Sequence, residues 1–152
     1  MTTRSLRAVP YDAATHGAQV DAWEVARLGR PSPEGYRPDT GIVIEDAEGP
    51  CACLFVWHPT SGRRLFIDDL IARPGLSPGK ARDAVSTIND ELVRIARESA
   101  YACITTTVDS PGLLGTLVRL GWTARKEPAR LAVLLVPRLA HRPPQDKTEG
   151  TG

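Results

Sequence analysis

The stretch LFIDDLIARPGLSPGKA, residues 65–81, limits the possible folds of this chain more than any other. It is typical of a buried strand that ends at a proline, followed by a Gly/Pro/Ser loop and the start of a helix. The free N–H groups of a first helical turn, together with the positive end of the helix dipole, attract phosphate groups. The stretch has neither the Walker spacing Gly-x-x-x-x-Gly-Lys-Ser/Thr nor the dinucleotide pattern Gly-x-Gly-x-x-Gly. It therefore predicts a strand–loop–helix phosphate site of another kind.

Hydrophobic periodicity along the chain predicts the order β-α-β-β-β-α-β-α-β. Three hairpin-connected strands followed by a β-α-β crossover favour an α/β fold with a mixed, mostly antiparallel sheet of six to seven strands and helices on both faces. The predicted strands cover residues 6–9, 42–45, 51–58, 64–72, 101–108 and 129–136, with an edge strand at 122–124; the predicted helices cover 13–28, 82–99 and 111–120.

Size and charge exclude several classes of protein. A chain of 152 residues is long enough for one domain with a sizeable core, and its net charge of +1 gives no general case for nucleic-acid or membrane binding. No apolar run approaches the roughly 20 residues of a membrane span, and the N-terminus lacks the apolar segment of a signal peptide. We expect a cytoplasmic protein with a single domain over residues 1–136 and a flexible polar tail over 137–152.

The cysteines favour no metal site. Cys51 and Cys53 lie two apart on a predicted strand, which should place them on one face. No histidine or further cysteine stands nearby at the spacing of metal ligands. They are interpreted as small buried residues of a reduced protein.

Three segments, in their order along the chain, resemble the GNAT acetyltransferases. DDLIARP, residues 68–74, resembles the end of that family's fourth strand, and Gly79-Lys80-Ala81 fits the Gly-x-Ala end of its pyrophosphate loop. The Gln/Arg that begins this loop pattern is replaced by Leu76 or Ser77. LLGTLVRLGW, residues 113–122, resembles the family's late helix, and the opening LRA resembles its entry to the first helix. The resemblance covers residues 4–136.

This resemblance implies acetyl-CoA as co-substrate and transfer of its acetyl group to an amine of a small molecule or protein. Backbone N–H groups of residues 70–73 would polarise the thioester carbonyl. Ser110 takes the position of the family's asparagine, and Leu117 that of its proton-donating tyrosine; a leucine donates no proton. The residues assigned to acetyl-CoA are Ile71, Ala72, Arg73, Gly79, Lys80, Ala81, Arg82 and Ser110.

Asp68 and Asp69 are the candidate bases that would take a proton from the amine. As neighbours on a strand they should point to opposite faces, so at most one would reach a given pocket. A structural ion pair or a cap is the alternative role for either aspartate. By resemblance, Tyr36 and Arg37 would line the acceptor side, and His58 is interpreted either as a pocket group or as a turn residue without a role.

Two functions of different kinds follow from these patterns. One is an acetyl-CoA-dependent N-acetyltransferase. The other is a catalytically inactive GNAT-like domain that serves as a binding or structural module, such as a phage-encoded, virion-associated protein. Many members of the family are dimers, so a homodimer is one of the assemblies that the resemblance allows, and the sequence leaves the oligomeric state open.

Overall fold

One sheet organises the protein, and its strands follow one another in chain order. The computed structural model describes residues 5–33 and 35–124. Neighbouring strands are antiparallel from the first to the fourth, and the fourth and fifth are parallel. The strands are β1 (Arg7–Pro10), β2 (Gly41–Asp46), β3 (Gly49–Trp57), β4 (Arg64–Ala72) and β5 (Cys103–Thr106); the helices are α1 (Ala13–Leu28), α2 (Pro78–Glu98) and α3 (Pro111–Arg119).

This architecture confirms the predicted mixed α/β sheet with helices on both faces, but not its size. The described residues form five strands, fewer than the expected six to seven. Residues 122–124 are irregular instead of an edge strand. The predicted strand at 129–136 and the predicted tail lie outside the described residues. None of the three helices found in the described ranges is long and apolar enough to cross a bilayer.

The sheet has a hydrophobic core on each face, and each core is covered by a different helix. On one face, the α2 residues Ala84, Ile88 and Leu92 form a stripe at four-residue steps that packs on β2, β3 and β4. On the other face, Val20 and Trp23 of α1 pack on the same strands. These are the α2-side core and the α1-side core.

Irregular pairing changes which core a strand residue enters. A register shift between Ile44 and Glu45 places Cys51 in the α2-side core, whereas Cys53 lies in the α1-side core. The expectation that both cysteines share one face is therefore wrong. Regular alternation fails at a bulge because one strand contributes an extra residue.

The helix starts follow from local capping. Asp12 caps α1 and accepts a hydrogen bond from the Ala14 N–H (3.1 Å), as the sequence predicts. α2 begins at Pro78 and not at residue 82, because Ser77 caps it and proline is pre-organised for the first helical position. Gly79, Lys80 and Ala81 therefore lie in its first turn. α3 begins with the same tripeptide, Ser-Pro-Gly, and is capped in the same way by Ser110.

A β-bulge in β4 lies where the candidate bases Asp68 and Asp69 stand. Phe55 pairs with Asp68 and Cys53 pairs with Ile71, so two steps along β3 face three steps along β4. Asp69 takes up the extra residue with φ of 53°, in the left-handed region that aspartate tolerates better than most residues. Residues before and after the bulge consequently face different cores.

β4 and β5 form a fork beyond this point. Their parallel pairing ends at Ile67 and Thr106, while β4 continues to Ala72 with no β5 partner. The edge of β4 at the bulge is thus left open toward α2 and α3.

Candidate functional site

The fork opens into an inner cavity of about 220 Å³. β4 contributes Ile67 to Leu70 to its wall, and α2 contributes Val85, Ile88 and Asn89. The opposite side is closed by the segment that follows β5 and by Leu113 and Leu117 of α3. The cavity thus combines apolar helix faces with polar groups at the end of the two strands.

An outer groove of about 840 Å³ lies beside it, between the first turns of α2 and α3. The groove and the inner cavity form one continuous cleft, since both are lined by Arg27, Leu70, Val85, Ser110 and Leu113. A long molecule with an anionic end and a reactive end fits such a shape.

The walls of the outer groove suit an anion. Arg27, Arg82 and Arg119 all line it. In the first turn of α2, the Lys80 N–H donates to the Ser77 hydroxyl (3.3 Å), and Pro78 has no N–H. The Gly79 N–H has no partner within the described ranges, and a Cβ on Gly79 would meet no atom within 4 Å. Three guanidinium groups and an accessible N–H fit a phosphate-bearing group.

Both candidate bases line the inner cavity. The expectation that at most one of them reaches a given pocket is wrong, because the β4 bulge breaks the alternation between Asp68 and Asp69. The Asp69 N–H donates to the Asp68 carboxylate (2.9 Å), while Oδ2 of Asp69 is buried without a hydrogen-bond partner in the part of the chain that is described. Burial, followed by the charges of Asp68 and Glu24, raises the pKa of Asp69.

Arg27, which the sequence analysis did not select, joins the two parts of the cleft. It lies in the last turn of α1, and its guanidinium donates to the Leu70 carbonyl oxygen (2.9 Å) at the open edge of β4. Its position on the helix carried a signal. Val20, Trp23, Glu24 and Arg27 follow the spacing of an apolar stripe, where charged residues are unexpected.

Several residues assigned to acetyl-CoA do not line the cleft. The guanidinium of Arg73 and the ammonium of Lys80 both contact Asp46 (2.8 and 3.4 Å), and the Arg73 N–H donates to the Cys51 carbonyl (2.9 Å). Burial works to raise the pKa of Asp46, but the Glu48 N–H and these two cations lower it below its usual value. Ala81, Arg82 and Ser110 line the outer groove; Ile71 lies in the α1-side core, and Ala72 pairs with Ala52.

Of the two acceptor-side candidates, Arg37 contacts α1. Arg37 makes ion pairs with Asp21 (2.7 Å) and Glu24 and lies over the Phe55 ring, 5.0 Å from its centroid. Tyr36 is exposed, and the charge of Asp69, followed by burial, raises its pKa.

Glu24, also missed from the sequence, holds the loop that carries these two residues. It is 3% exposed, and its carboxylate accepts hydrogen bonds from the N–H and the hydroxyl of Ser32, both at 2.6 Å. Burial opposes ionisation, but the Ser32 hydroxyl and Arg37 outweigh it, so the pKa of Glu24 falls below its usual value. The Glu24 carboxylate is therefore ionised, and both of its oxygens have hydrogen-bond or ion-pair partners.

Two further candidates have other contacts. The His58 ring nitrogen Nδ1 lies 2.9 Å from the Tyr101 hydroxyl, beside a small separate cavity of about 210 Å³. None of the lining residues of that cavity belongs to the cleft. The Ser110 hydroxyl accepts from the Leu113 N–H (3.3 Å) as the cap of α3, and Leu117 is a buried part of the inner cavity wall.

Comparison by sequence gives no relatives: no family model and no curated protein matches the chain. Solved structures do match it. A GCN5-related N-acetyltransferase from Ralstonia eutropha is 16% identical, with 84% of this chain and 99% of that chain covered and a TM-score of 0.57. The chain has the GNAT acetyltransferase fold.

Two other similar structures were solved with a ligand bound. An aminoglycoside acetyltransferase from an uncultured soil metagenomic sample, in complex with sisomicin, is 12% identical over 86% of this chain and 97% of that one, with a TM-score of 0.60. A predicted acetyltransferase from Clostridium acetobutylicum with acetyl-CoA is 16% identical over 84% and 96%, with a TM-score of 0.54. At these identities the GNAT likeness is one of fold.

Proposed function

We propose that this protein is an acetyl-CoA-dependent N-acetyltransferase. The observation that carries the proposal is the continuous cleft at the β4–β5 fork, with three carboxylates in its inner part, Asp68 and Asp69 among them, and three arginines along its outer part. The GNAT fold, shared with a structure that holds acetyl-CoA, supports the choice of co-substrate.

In this proposal the outer groove binds the phosphates of acetyl-CoA. Arg82 and Arg119 line only this part of the cleft, and the Gly79 N–H, next to the groove residue Pro78, has no hydrogen-bond partner in the described ranges. Guanidinium groups bind phosphate oxygens through charge-assisted hydrogen bonds. The open edge of β4 would face the thioester, although the Arg73 N–H, already bound to Cys51, is not available to polarise its carbonyl.

Asp69 is the proposed base. Amine nitrogen attacks the thioester carbon, the C–S bond breaks, and the amine loses one proton as the amide forms. A carboxylate with a raised pKa accepts that proton more readily than an ordinary aspartate does. Asp69 lines the inner cavity, and its carboxylate, whose Oδ2 has no hydrogen-bond partner in the described ranges, is the proposed acceptor of that proton.

The acceptor would approach from the side of α1, past Tyr36 and the Arg37 that Glu24 holds in place. Its class is an amine of a small molecule or protein. One similar structure was solved with sisomicin, an aminoglycoside, and this makes polyamine-like small molecules a sensible first panel for assay.

The second candidate is a non-catalytic GNAT-like module. It is favoured by the Leu117 side chain in the inner cavity wall and by the ion pairs that engage Arg73 and Lys80 with Asp46. No observation on the described residues favours a phage or virion setting. Cytoplasmic location and a homodimer stay predictions.

Calorimetric titration with acetyl-CoA tests the proposal and separates the two candidates. Because each lost charge-assisted contact costs about 1.5–3 kcal/mol, we expect Arg82→Gln and Arg119→Gln each to weaken binding by about tenfold or more. Arg94→Gln is the matched control, since Arg94 lies on α2 but pairs with Glu91 and Glu98 outside the cleft. Absence of binding by the parent protein would overturn the proposal, and so would equal effects of all three substitutions. Binding without release of thiol in the presence of any amine would favour the module.

A further inference from the structure

We propose that Arg27 stabilises the thiolate form of CoA at the fork and so acts as the electrostatic partner of the leaving group. The inference rests on the proposed function and concerns a residue that the sequence analysis did not select. Its basis is the charge distribution in the cleft.

The inner cavity is poor in groups that can compensate a negative charge. Its described lining contains three carboxylates, namely Asp68, Asp69 and Asp109, and one cation, Arg27. The same lining includes no lysine, histidine, cysteine or tyrosine. A thiolate formed there would face three carboxylates, and the described lining offers it no lysine, histidine, cysteine or tyrosine as a proton donor.

Arg27 lies where a positive charge could offset the negative charge of the thiolate. It lines both the inner cavity and the outer groove, so its guanidinium lies where the anionic and the reactive parts of a long co-substrate would meet. Its bond to the Leu70 carbonyl anchors the guanidinium at the open edge of β4. One guanidinium N–H is used in that bond, and arginine carries five, so donors are left for a thiolate.

The step balances without a proton donor from the protein. The amine nitrogen forms a bond to the acetyl carbon, the C–S bond breaks, and its electron pair leaves on sulfur. The amine proton goes to Asp69, and the thiolate leaves paired with Arg27. Solvent then protonates the released thiolate, whose parent thiol has a pKa near that of free cysteine, about 8.5.

The other charges around the CoA thiol determine in which direction its pKa would shift if Arg27 had no effect. Asp68 and Asp69 on β4 and Asp109 before α3 would raise its pKa, while α2 contributes the uncharged Asn89. Glu24 and Arg37 both act on Asp69 from behind, and because they pair with each other their charges largely offset. Arg82 and Arg119 lie in the outer groove. A bound CoA thiol with a lowered pKa would therefore point to Arg27, because an opposite charge at close range lowers a pKa by roughly one to three units.

The experiment compares binding of CoA and acetyl-CoA by calorimetry across the titration range of the free thiol. Lowering of the bound thiol pKa by one unit makes the affinity of CoA relative to acetyl-CoA rise about tenfold between acidic and alkaline pH. We expect this rise in the parent protein and in Arg27→Lys, which keeps the charge, and no rise in Arg27→Gln. Arg119→Gln is the matched control: it should weaken both ligands equally and keep the pH dependence.

The outcomes separate this inference from the proposed function. If neither ligand binds the parent protein, the acetyltransferase proposal is overturned, and the role of Arg27 with it. If both bind but their affinity ratio is flat with pH, or rises equally in Arg27→Gln, only the role of Arg27 is overturned. Uniform weakening of both ligands by Arg27→Gln, with the pH dependence intact, would make Arg27 a phosphate contact instead.

Discussion

Two carboxylates on either side of the contact between α1 and β4 differ in their partners. Glu24 is almost completely buried, accepts two hydrogen bonds from Ser32 and pairs with Arg37, and its pKa is lowered. Asp69 is partly buried at the β4 bulge, faces Asp68, leaves Oδ2 without a partner in the described ranges, and has a raised pKa. Burial acts to raise the pKa of both carboxylates, so their hydrogen-bond and charge partners decide whether each pKa ends above or below its usual value. A buried carboxylate with all its hydrogen bonds made stabilises the fold, whereas one that lacks a partner in a cleft is a candidate for proton transfer.

The strongest way to break this comparison is to remove Glu24. Glu24→Ala leaves the mostly buried Arg37 guanidinium with the exposed Asp21 as its remaining ion-pair partner in the described ranges, and loss of one member of a buried ion pair costs about 3–5 kcal/mol. We expect the free energy of unfolding in urea to fall by that amount. A loss below about 1 kcal/mol would show that the pair contributes no more than an exposed one.

Asp69→Asn should have the next largest effect, on activity and not on folding. Asparagine tolerates the positive φ of this position, but it cannot accept the amine proton. Removal of a general base typically costs about 10²–10⁴ in rate. We expect thiol release with amines to fall by at least about 100-fold while acetyl-CoA affinity is unchanged.

Asp68→Asn is the control in the same cavity, because the Asp68 carboxylate already accepts the Asp69 N–H. A smaller loss of rate is expected for it. A larger loss than for Asp69→Asn would exchange the roles of the two aspartates.

The pH dependence of stability sharpens the comparison further. The raised pKa of Asp69 destabilises the folded protein as pH rises from the unfolded value of about 3.9 through the folded one. The lowered pKa of Glu24 has the opposite sign: its stabilisation is present above about pH 4.3 and is lost as pH falls through the folded pKa.

Urea unfolding over a pH series measures both effects. Asp69→Asn should gain stability relative to the parent protein as pH rises above about 3.9, and Glu24→Gln should lose stability relative to the parent as pH rises toward about 4.3. Difference curves of the same sign would show that the two carboxylates have similar surroundings after all.

The smallest effect is expected for Asp21→Asn. Asp21 pairs with the same Arg37 at 2.7 Å, but its side chain is 57% exposed. Exposed pairs typically contribute about 0.2–1 kcal/mol, so the thermal melting temperature should hardly change. A loss as large as that of Glu24→Ala would place the stability of the loop in the surface pair.

The sequence predicted the elements well where local signals were strong. The bounds of α1, from the Asp12 cap to the stop at Gly29, and those of β4 at residues 64–72 are confirmed. The start of α2 was placed too late, because Pro78 and Gly79 are typical of a loop unless Ser77 is recognised as the cap.

The site was less predictable because it depends on departures from regular structure and on tertiary contacts. Asp68 and Asp69 were selected by type, but no sequence signal places a bulge between them. The engagement of Arg73 and Lys80 with Asp46 joins segments far apart in the chain, and local spacing does not reveal it. Glu24 and Arg27 did carry a signal, as charges on an apolar helical stripe.

The fork between β4 and β5 also has a consequence for the order in which the molecule assembles. β2, β3 and β4 are joined by short turns, so their contacts form with little loss of loop entropy. β5 reaches β4 only after the whole of α2 has bridged them, and it is held by four paired residues. We expect the meander to form first and the cleft to close late, so that amide hydrogens of β5 exchange with solvent sooner than those of β3. The part of the fold that would do chemistry is then also the last part to be built.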